Sequence, residues 1–179
     1  MADSLRRATE EDADFLWAML YEASYAAESG VADVAALRRH PELARYVEGW
    51  GARTDLGVVA VDDDTREPVG AAWLRLLTRE AKGYGYVDED TPELAIAVLP
   101  GHRSRGLGGR MLGELLEAAT GSFGAVSLSV RADNPARRLY ERTGFHIVGA
   151  DAGGASVGTS VTMKIELRGG AIGRSRRRC

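Results

Sequence analysis

The segment 93–116 is the part of this sequence that most constrains the fold. It contains a short apolar strand, then a basic turn rich in glycine, and then a helix whose apolar residues recur at helical spacing. Backbone amides at the start of a helix, in a turn with little side-chain bulk, form a ready site for an anion. The segment therefore predicts a strand–turn–helix unit that holds a diphosphate, and it points to a cofactor that carries a nucleotide.

The rest of the sequence predicts an α/β domain around this unit. Strands are expected at 5–8, 56–61, 69–77, 94–99, 125–130, 145–149 and 157–167. Helices are expected after Thr9, over 31–50 with an interruption near Pro41, after Gly108, and from Asn134 to about Arg142. The strand–helix–strand unit in the middle of the chain predicts that strands four and five are parallel. A chain of 179 residues suits one such domain, which we place at residues 1–167.

Composition narrows the class of protein. The hydrophobic fraction of 45% and the charged fraction of 27% are those of an ordinary soluble domain, and no apolar run could span a bilayer. The first residues lack an apolar signal core, so we expect a cytoplasmic protein without a membrane partner. The only cysteine is Cys179, which excludes an intrachain disulfide.

Charge is distributed unevenly along the chain. The net charge is −3, but the segment 168–179 carries five arginines and no acid. The remaining residues are therefore distinctly acidic, which disfavours nucleic acid as a partner and mildly favours a cationic substrate. We expect the arginine-rich segment 168–179 to be a disordered tail outside the domain, and its role stays open.

The glycine-rich turn allows several interpretations. A Walker-type phosphate loop needs Gly-Lys-Ser/Thr, and the chain has Arg110-Met111 there. A dinucleotide-binding fingerprint needs a third glycine where Met111 stands, so this interpretation is weak. The turn Arg103-x-x-Gly106-x-Gly108 also has the form that acetyltransferases use to bind acyl-CoA. A plain loop with glycines is the remaining alternative, and the flanking strand and helix disfavour it.

Two motifs together make the chain resemble the GNAT N-acetyltransferase superfamily. The first is Arg103-x-x-Gly106-x-Gly108, and the second is Asn134-Pro-Ala-Arg-Arg-Leu-Tyr140 followed by Gly144-Phe145. The resemblance implies a single-domain fold with a mixed, mostly antiparallel sheet of about seven strands and about four flanking helices, in which parallel strands four and five splay apart. It also implies acetyl-CoA as cosubstrate. No His and Cys cluster with metal-ligand spacing is present in the sequence, so we expect no metal.

The resemblance also implies which residues hold the cosubstrate. The backbone of the turn would bind the CoA pyrophosphate, and Ala97 and Val98 would pair with the pantetheine amides. An amide of Val98 could also polarise the thioester carbonyl. Asn134 would contact the cofactor, and it can serve as a helix N-cap at the same time. The turn residues in question are Arg103, Ser104, Arg105, Gly106, Leu107, Gly108 and Gly109.

Two residues are candidates for catalysis by the same resemblance. Tyr140 matches the family tyrosine that protonates the leaving thiolate, with a packing tyrosine as the alternative. Glu93 matches a position that sometimes carries a general base acting through water, and a solvated strand-end glutamate is the alternative. The acids Asp88, Glu89 and Asp90 are rivals, either as the base or as groups that attract a cationic acceptor.

The function implied is transfer of the acetyl group of acetyl-CoA to a primary amine by direct attack, with a small cationic molecule as the first choice of acceptor. A protein acetyltransferase acting on an N-terminus or a lysine is one alternative, and a non-catalytic acyl-CoA-binding sensor module is another. The recurrence of Trp17, Tyr21 and Tyr25 every fourth residue predicts one helix face, used for packing or as a wall of the acceptor pocket. Because a fold does not set the acceptor, its identity stays open, as does a homodimer.

Overall fold

The protein is built on one seven-stranded mixed sheet. A computed structural model describes residues 3–151 and 159–167. The strands are β1 (Asp3–Arg7), β2 (Leu56–Asp62), β3 (Pro68–Arg75), β4 (Glu93–Val98), β5 (Ala125–Arg131), β6 (His146–Asp151) and β7 (Ser160–Glu166). Their order across the sheet is β1-β2-β3-β4-β5-β7-β6, and every pairing is antiparallel except that of β4 with β5. The predicted α/β class and the seven strands are confirmed.

Helices cover both faces of the sheet. They are α1 (Ala13–Ala23), α2 (Val34–Leu37), α3 (Pro41–Ala44), α4 (Leu107–Ala119) and α5 (Arg137–Thr143), with 3-10 turns at Glu10–Asp12 and Pro100–His102. None of the helices within residues 3–151 and 159–167 is long and apolar enough to cross a membrane.

Alternation along the central strands creates two separate cores. On β3, Ala72 and Leu74 pack on one face with the apolar residues of α4, such as Met111. On the other face, Trp73 of the same strand packs with the apolar residues of α1, such as Leu16. Because successive side chains of a strand point to opposite faces, each buried strand contributes to both cores.

The parallel pair β4–β5 is joined at one point only. Glu93 of β4 is in register with Ser127 of β5, and the Ser127 amide donates to the Pro92 carbonyl at 3.0 Å. Beyond this point the two strands have no further register positions, so they separate toward their carboxyl ends. The predicted splay of strands four and five is confirmed, and it leaves a gap between two strand edges in the centre of the sheet.

Three local predictions differ from the structure. The region 31–50 forms two four-residue helices, and Pro41 begins the second one at its first position, where proline is tolerated. Asn134 and Pro135 form a turn before α5, which begins only at Arg137. The first helix ends at Ala23, so Tyr25 does not share its face, and its φ of 53° lies in the left-handed region.

The predicted C-terminal cap of α5 at Gly144 is present, with a φ of 111°. The first two residues of the predicted strand 157–167 and the arginine-rich tail 168–179 lie outside the described residues.

Candidate active site

The turn between β4 and α4 has the geometry of an anion site. Gly106, directly before α4, has a φ of 76°, a left-handed conformation that glycine adopts at little cost. This turns the chain so that α4 begins at Leu107, and the first amides of a helix have no partner within the helix. A cavity of about 320 Å³ opens there. Its lining consists of Val98, His102, Arg103, Ser104, Gly106, Leu107, Gly108, Gly109, Leu139 and Arg142.

Most of the predicted pyrophosphate residues therefore come together around one cavity. Arg105 is the exception: it is absent from the lining, and its guanidinium donates to the Gly101 carbonyl at 3.2 Å. Arg142, on α5, was not predicted from the sequence and adds positive charge to the lining. A left-handed glycine, unpaired helix amides and nearby guanidinium groups fit a diphosphate.

Backbone groups of β4 line the gap beside this cavity. The Leu99 amide donates to the Val69 carbonyl at 2.9 Å, so alternate residues of β4, including Ala97, direct their backbone toward β3. The same alternation directs the backbone of Val98 and Ile96 into the gap. Val98 is thus placed where its predicted role requires, whereas the backbone of Ala97 faces β3. Ile96 also faces the gap, and no sequence motif marks it.

Arg103 connects the cavity to α1. Its Nε donates to the Val98 carbonyl at 3.0 Å, and its Nη2 lies 2.9 Å from Glu22 Oε2. Side chains of this ion pair are partly exposed, and such pairs contribute little stability. The guanidinium can therefore turn to a bound phosphate at a small free-energy cost, which would also release the Val98 carbonyl into the gap.

Glu93 is a buried carboxylate at the closed end of the gap. It lies on the α1 face, since Ala95 and Ala97 of the same strand pack against that core, and its exposed fraction is 3%. Oε1 accepts hydrogen bonds from the Tyr46 hydroxyl and from the Gly85 amide, the latter at 2.7 Å. Burial raises the pKa of Glu93 to about 7, although both hydrogen bonds oppose the shift. A carboxylate with this pKa can accept and release a proton near neutrality.

Tyr140 lies on the opposite side of the sheet, in the core that contains α4. Its ring meets Phe145 edge to face at 5.9 Å, and its exposed fraction is 7%. Burial, followed by the nearby phenol of Tyr25, raises the pKa of Tyr140 above its ordinary value, so the hydroxyl keeps its proton. The hydroxyl makes no hydrogen bond to any other residue that the structure describes, which leaves it able to donate to a ligand.

Asn134 is held between α5 and the segment after α1. Its Oδ1 accepts from the Ala136 amide at 2.8 Å, so it caps the turn that leads into α5, and its Nδ2 donates to the Tyr25 hydroxyl. Tyr25 is fixed further by Arg131, whose Cζ lies 4.8 Å from the ring centre. The capping role predicted for Asn134 thus takes the form of a turn cap, and Tyr25 is a neighbour of Tyr140 that helical spacing could not reveal.

The acids 88–90 occupy the exposed surface of the loop between β3 and β4. Asp88 Oδ1 accepts the Asp90 amide at 3.0 Å, and Glu89 Oε1 accepts the Arg79 amide at 3.4 Å. Arg79 and Lys82 line a surface cavity together with these acids. Glu93 differs from them because it lies buried beneath the part of the loop around Gly85.

One group of potential metal ligands occurs within the described residues. Atoms of Asp3, Asp62 and His102 lie within 4.8 Å of one another. Oδ1 of Asp62 already accepts the amides of Asp64 and Thr65 in the β2–β3 hairpin, at 2.9 and 3.0 Å. His102 Nδ1 lies 3.9 Å from Asp62 Oδ2, so the two side chains form an ion pair when the imidazole is protonated. The expectation of no metal stays a prediction.

Comparison with known protein families supports the two sequence motifs. The model of the acetyltransferase (GNAT) family matches residues 17–145, which confirms the resemblance inferred from the motifs. A mycothiol acetyltransferase from Brachybacterium faecium is 33% identical over an alignment of 143 residues that covers 73% of this chain and 41% of that protein. An uncharacterized protein from Mycobacterium leprae is 54% identical over 55 residues, which are 30% of this chain and 15% of that protein. The chain spans less than half the length of these curated relatives.

Solved structures show the same fold at low sequence identity. The protein yncA from Salmonella typhimurium, solved with its cofactor acetyl-CoA, is 18% identical with a TM-score of 0.67, and the match covers 98% of this chain and 99% of yncA. Spermidine N-acetyltransferase from Vibrio cholerae, in complex with CoA and spermine, is 16% identical with a TM-score of 0.63, covering 92% of this chain and 95% of that one. At such low sequence identity, these similarities show the fold and nothing about the substrate.

Proposed function

Because this chain belongs to the acetyltransferase (GNAT) family, we propose that it transfers an acetyl group from acetyl-CoA, the family's cosubstrate, to a primary amine. The observation that carries the proposal is Glu93, a buried carboxylate with a pKa of about 7 at the closed end of the β4–β5 gap. At neutral pH a primary amine is present as an ammonium ion, and it becomes a nucleophile only after losing a proton. A non-catalytic acyl-CoA sensor would have no use for such a group, so Glu93 favours an enzyme.

Two side chains perform the proton transfers in this proposal. Glu93 takes the proton of the ammonium, directly or through a water molecule. The cosubstrate supplies the acetyl group as a thioester; a nitrogen–carbon bond forms as its carbon–sulfur bond breaks. Tyr140 gives its proton to the departing thiolate, and the second proton lost by the nitrogen restores the phenol. The rise in the pKa of Tyr140 favours this role, because the phenol stays protonated until a strong acceptor appears.

Val98 and the turn orient the cosubstrate in the proposal. The Val98 backbone faces the gap, and the amides at the start of α4 face the cavity that Arg103 and Arg142 also line. Asn134 contributes by fixing the turn before α5 and by holding Tyr25 near Tyr140. Each of these groups positions the acyl donor, and none of them needs to exchange a proton.

A small cationic amine is the acceptor that charge favours. Apart from the arginine-rich segment 168–179, the sequence has 26 acidic residues against 18 basic ones. The acids 88–90 are exposed on the loop that covers Glu93. A cationic protein segment, either an N-terminus or a lysine, would respond to the same charges, so a protein acetyltransferase is the second candidate.

The first experiment measures thiol release from acetyl-CoA over a panel of acceptors, beside calorimetry of acetyl-CoA alone. The panel contains spermidine, spermine, aminoglycosides and lysine or N-terminal peptides, together with the acceptor of mycothiol acetyltransferase. Turnover with one small amine establishes the activity and names the acceptor class, whereas turnover with peptides alone favours the second candidate. Binding of acetyl-CoA with no turnover on any acceptor supports the sensor module, and absence of binding refutes the assignment of the turn.

A further inference from the structure

We propose that Tyr46 is a positioning residue that selects Oε2 of Glu93 as the basic atom of the reaction. This inference deepens the proposed function and rests on it. Tyr46 follows α3, 47 positions before Glu93, in a region where the sequence indicated only helix. Its side chain is buried in the core that contains α1, and it reaches the same end of the gap as the carboxylate.

Hydrogen bonds hold Tyr46 both at its backbone and at its hydroxyl. At the backbone end, Nε1 of Trp73 donates to the Tyr46 carbonyl at 2.9 Å. At the hydroxyl end, the Tyr84 amide donates to the Tyr46 oxygen at 2.8 Å. Because the hydroxyl has one proton and its oxygen already accepts this amide, the proton is directed to Oε1 of Glu93. The network therefore determines the direction of the hydrogen bond as well as its presence.

The two oxygens of Glu93 are consequently unequal. Oε1 accepts from the Tyr46 hydroxyl and from the Gly85 amide. Oε2 is buried and accepts no hydrogen bond from any residue that the structure describes. A buried carboxylate oxygen without a donor is costly, and a proton or a proton-bearing ligand relieves that cost. Oε2 is thus the atom on which the carboxylate takes up a proton.

Gly83 packs directly against Oε2, where no larger residue would fit. A Cβ at position 83 would overlap Oε2 and would stand 2.5 Å from the Tyr46 hydroxyl. Gly85 has a different constraint, since its Cβ would overlap the backbone of Leu128 and Ser129 on β5. The two glycines let the loop lie close to the carboxylate and to the edge of β5, and Gly83 is the one that packs against Oε2 without covering it with a side chain.

The charged groups around Glu93 do not replace this role of Tyr46. Arg45, next to Tyr46, donates to the Lys82 carbonyl and acts on Glu93 only through space. Arg75 lies opposite Glu93 on β3, but it is held by Asp55 at 3.1 Å and by the Glu48 carbonyl. The neighbour on β5 is Ser127, which has no charge.

Removing the Tyr46 hydroxyl has a defined consequence for proton uptake. The Tyr46 hydrogen bond lowers the pKa of Glu93, in opposition to burial. In Tyr46→Phe the pKa should therefore rise, by about one unit or more for a hydrogen bond to a charged group. Tyr84→Phe is the matched control, since its ring is 53% exposed and only its backbone amide belongs to the network.

The test titrates Glu93 directly in the full chain, without any acceptor. Infrared difference spectra between pH about 5 and about 9 follow the band of the protonated carboxyl, and the band missing from Glu93→Gln identifies it. We expect the midpoint to move upward by about one pH unit or more in Tyr46→Phe and to stay unchanged in Tyr84→Phe. The acid limb of the pH profile of kcat/KM, measured with the acceptor found in the panel, should move by the same amount in Tyr46→Phe.

The outcomes separate this inference from the proposed function. One outcome is that Glu93→Gln abolishes the acid limb of the kcat/KM profile, while Tyr46→Phe changes neither the midpoint of the infrared titration nor that of the acid limb. The positioning role of Tyr46 is then wrong, and the assignment of Glu93 as the base stands. If Glu93→Gln keeps the acid limb, another group is the base and both fail. Should Tyr46→Phe not fold, Gly83→Ala tests the same oxygen by placing a methyl group against it. We expect Gly83→Ala to lower kcat/KM at least tenfold. A kcat/KM equal to that of the wild type would overturn the assignment of Oε2.

Discussion

Glu93 should make this protein less stable as the pH rises from about 4.5 to about 7, and Glu93→Gln should remove that dependence. The pKa of the folded protein's carboxyl is about 7, against an ordinary value of 4.5. Since one pKa unit corresponds to about 1.4 kcal/mol, the shift of about 2.5 units is worth about 3 kcal/mol. With a side chain only 3% exposed, solvent screening takes little from this figure.

The sign follows from proton uptake. A carboxyl with a raised pKa in the folded state binds its proton more tightly there than in the unfolded chain. Its contribution to the free energy of unfolding is therefore fully present below pH about 4.5 and is lost between about 4.5 and about 7. Carboxyls with lowered pKa values, such as Asp12 beside Arg6, act in the opposite direction, losing their contribution as the pH falls through their folded pKa. Near neutrality Glu93 should dominate the difference between the wild type and its variant.

The assay is chemical denaturation at a series of pH values from about 4.5 to about 8. The amide introduced by Glu93→Gln would place a nitrogen or an oxygen where Oε2 has no partner, which lowers stability by about 1–3 kcal/mol at every pH. The quantity to compare is therefore the change with pH, not the absolute stability. We expect the difference in unfolding free energy between the variant and the wild type to shift by about 3 kcal/mol in favour of the variant across this range.

Glu89→Gln is the matched control for this measurement. Glu89 is exposed on the same loop, so the same chemical change should leave the pH dependence of stability unaltered. Parallel curves for the wild type and Glu93→Gln would refute the argument, because they would mean that Glu93 has the same pKa in both states. A variant that gains stability relative to the wild type as the pH falls would show instead that the pKa of Glu93 is lowered on folding.

Three further substitutions test the rest of the site. Tyr140→Phe should slow turnover by tenfold or more and leave acetyl-CoA affinity nearly unchanged by calorimetry; unchanged turnover would remove the general-acid role. Gly106→Ala should weaken acetyl-CoA binding about fivefold, since a left-handed φ costs a residue with a Cβ about 1 kcal/mol. An affinity equal to that of the wild type would mean that the turn tolerates alanine at this position. Glu22→Gln should tighten acetyl-CoA binding about two- to fivefold by freeing Arg103, an effect that salt should diminish and that weaker binding would contradict.

The sequence predicted those parts of the structure that local residue patterns determine. Gly144, after the helix predicted to run to about Arg142, marked the end of α5, and the glycines after β4 marked the start of α4. The strand–helix–strand order was sufficient to predict the parallel pair β4–β5. In the first two cases the signal lies within a few residues of the feature it marks, and in the third it lies in the order of consecutive elements.

Contacts between distant segments could not be predicted in the same way. Tyr46 meets Glu93 only because two short helices return the chain to the end of β4, and no periodic pattern marks that return. Tyr25 reaches Asn134 across 109 positions, from a backbone conformation that an aromatic residue rarely adopts. No sequence pattern indicated that Gly83 and Gly85 are close packed, Gly83 against Glu93 and Gly85 against β5.

The gap between β4 and β5 explains how the proposed base and the proposed acid could serve one reaction from opposite faces of the sheet. Glu93 faces the core that contains α1, and Tyr140 packs in the core that contains α4. A fully paired β4–β5 would place continuous hydrogen-bonded backbone between them, and no ligand could contact both. The pairing ends at Glu93 and Ser127, so the sheet is open from that position to the turn before α4. An acyl donor lying along this opening would have its thioester accessible from both faces, which is what direct transfer to an amine requires.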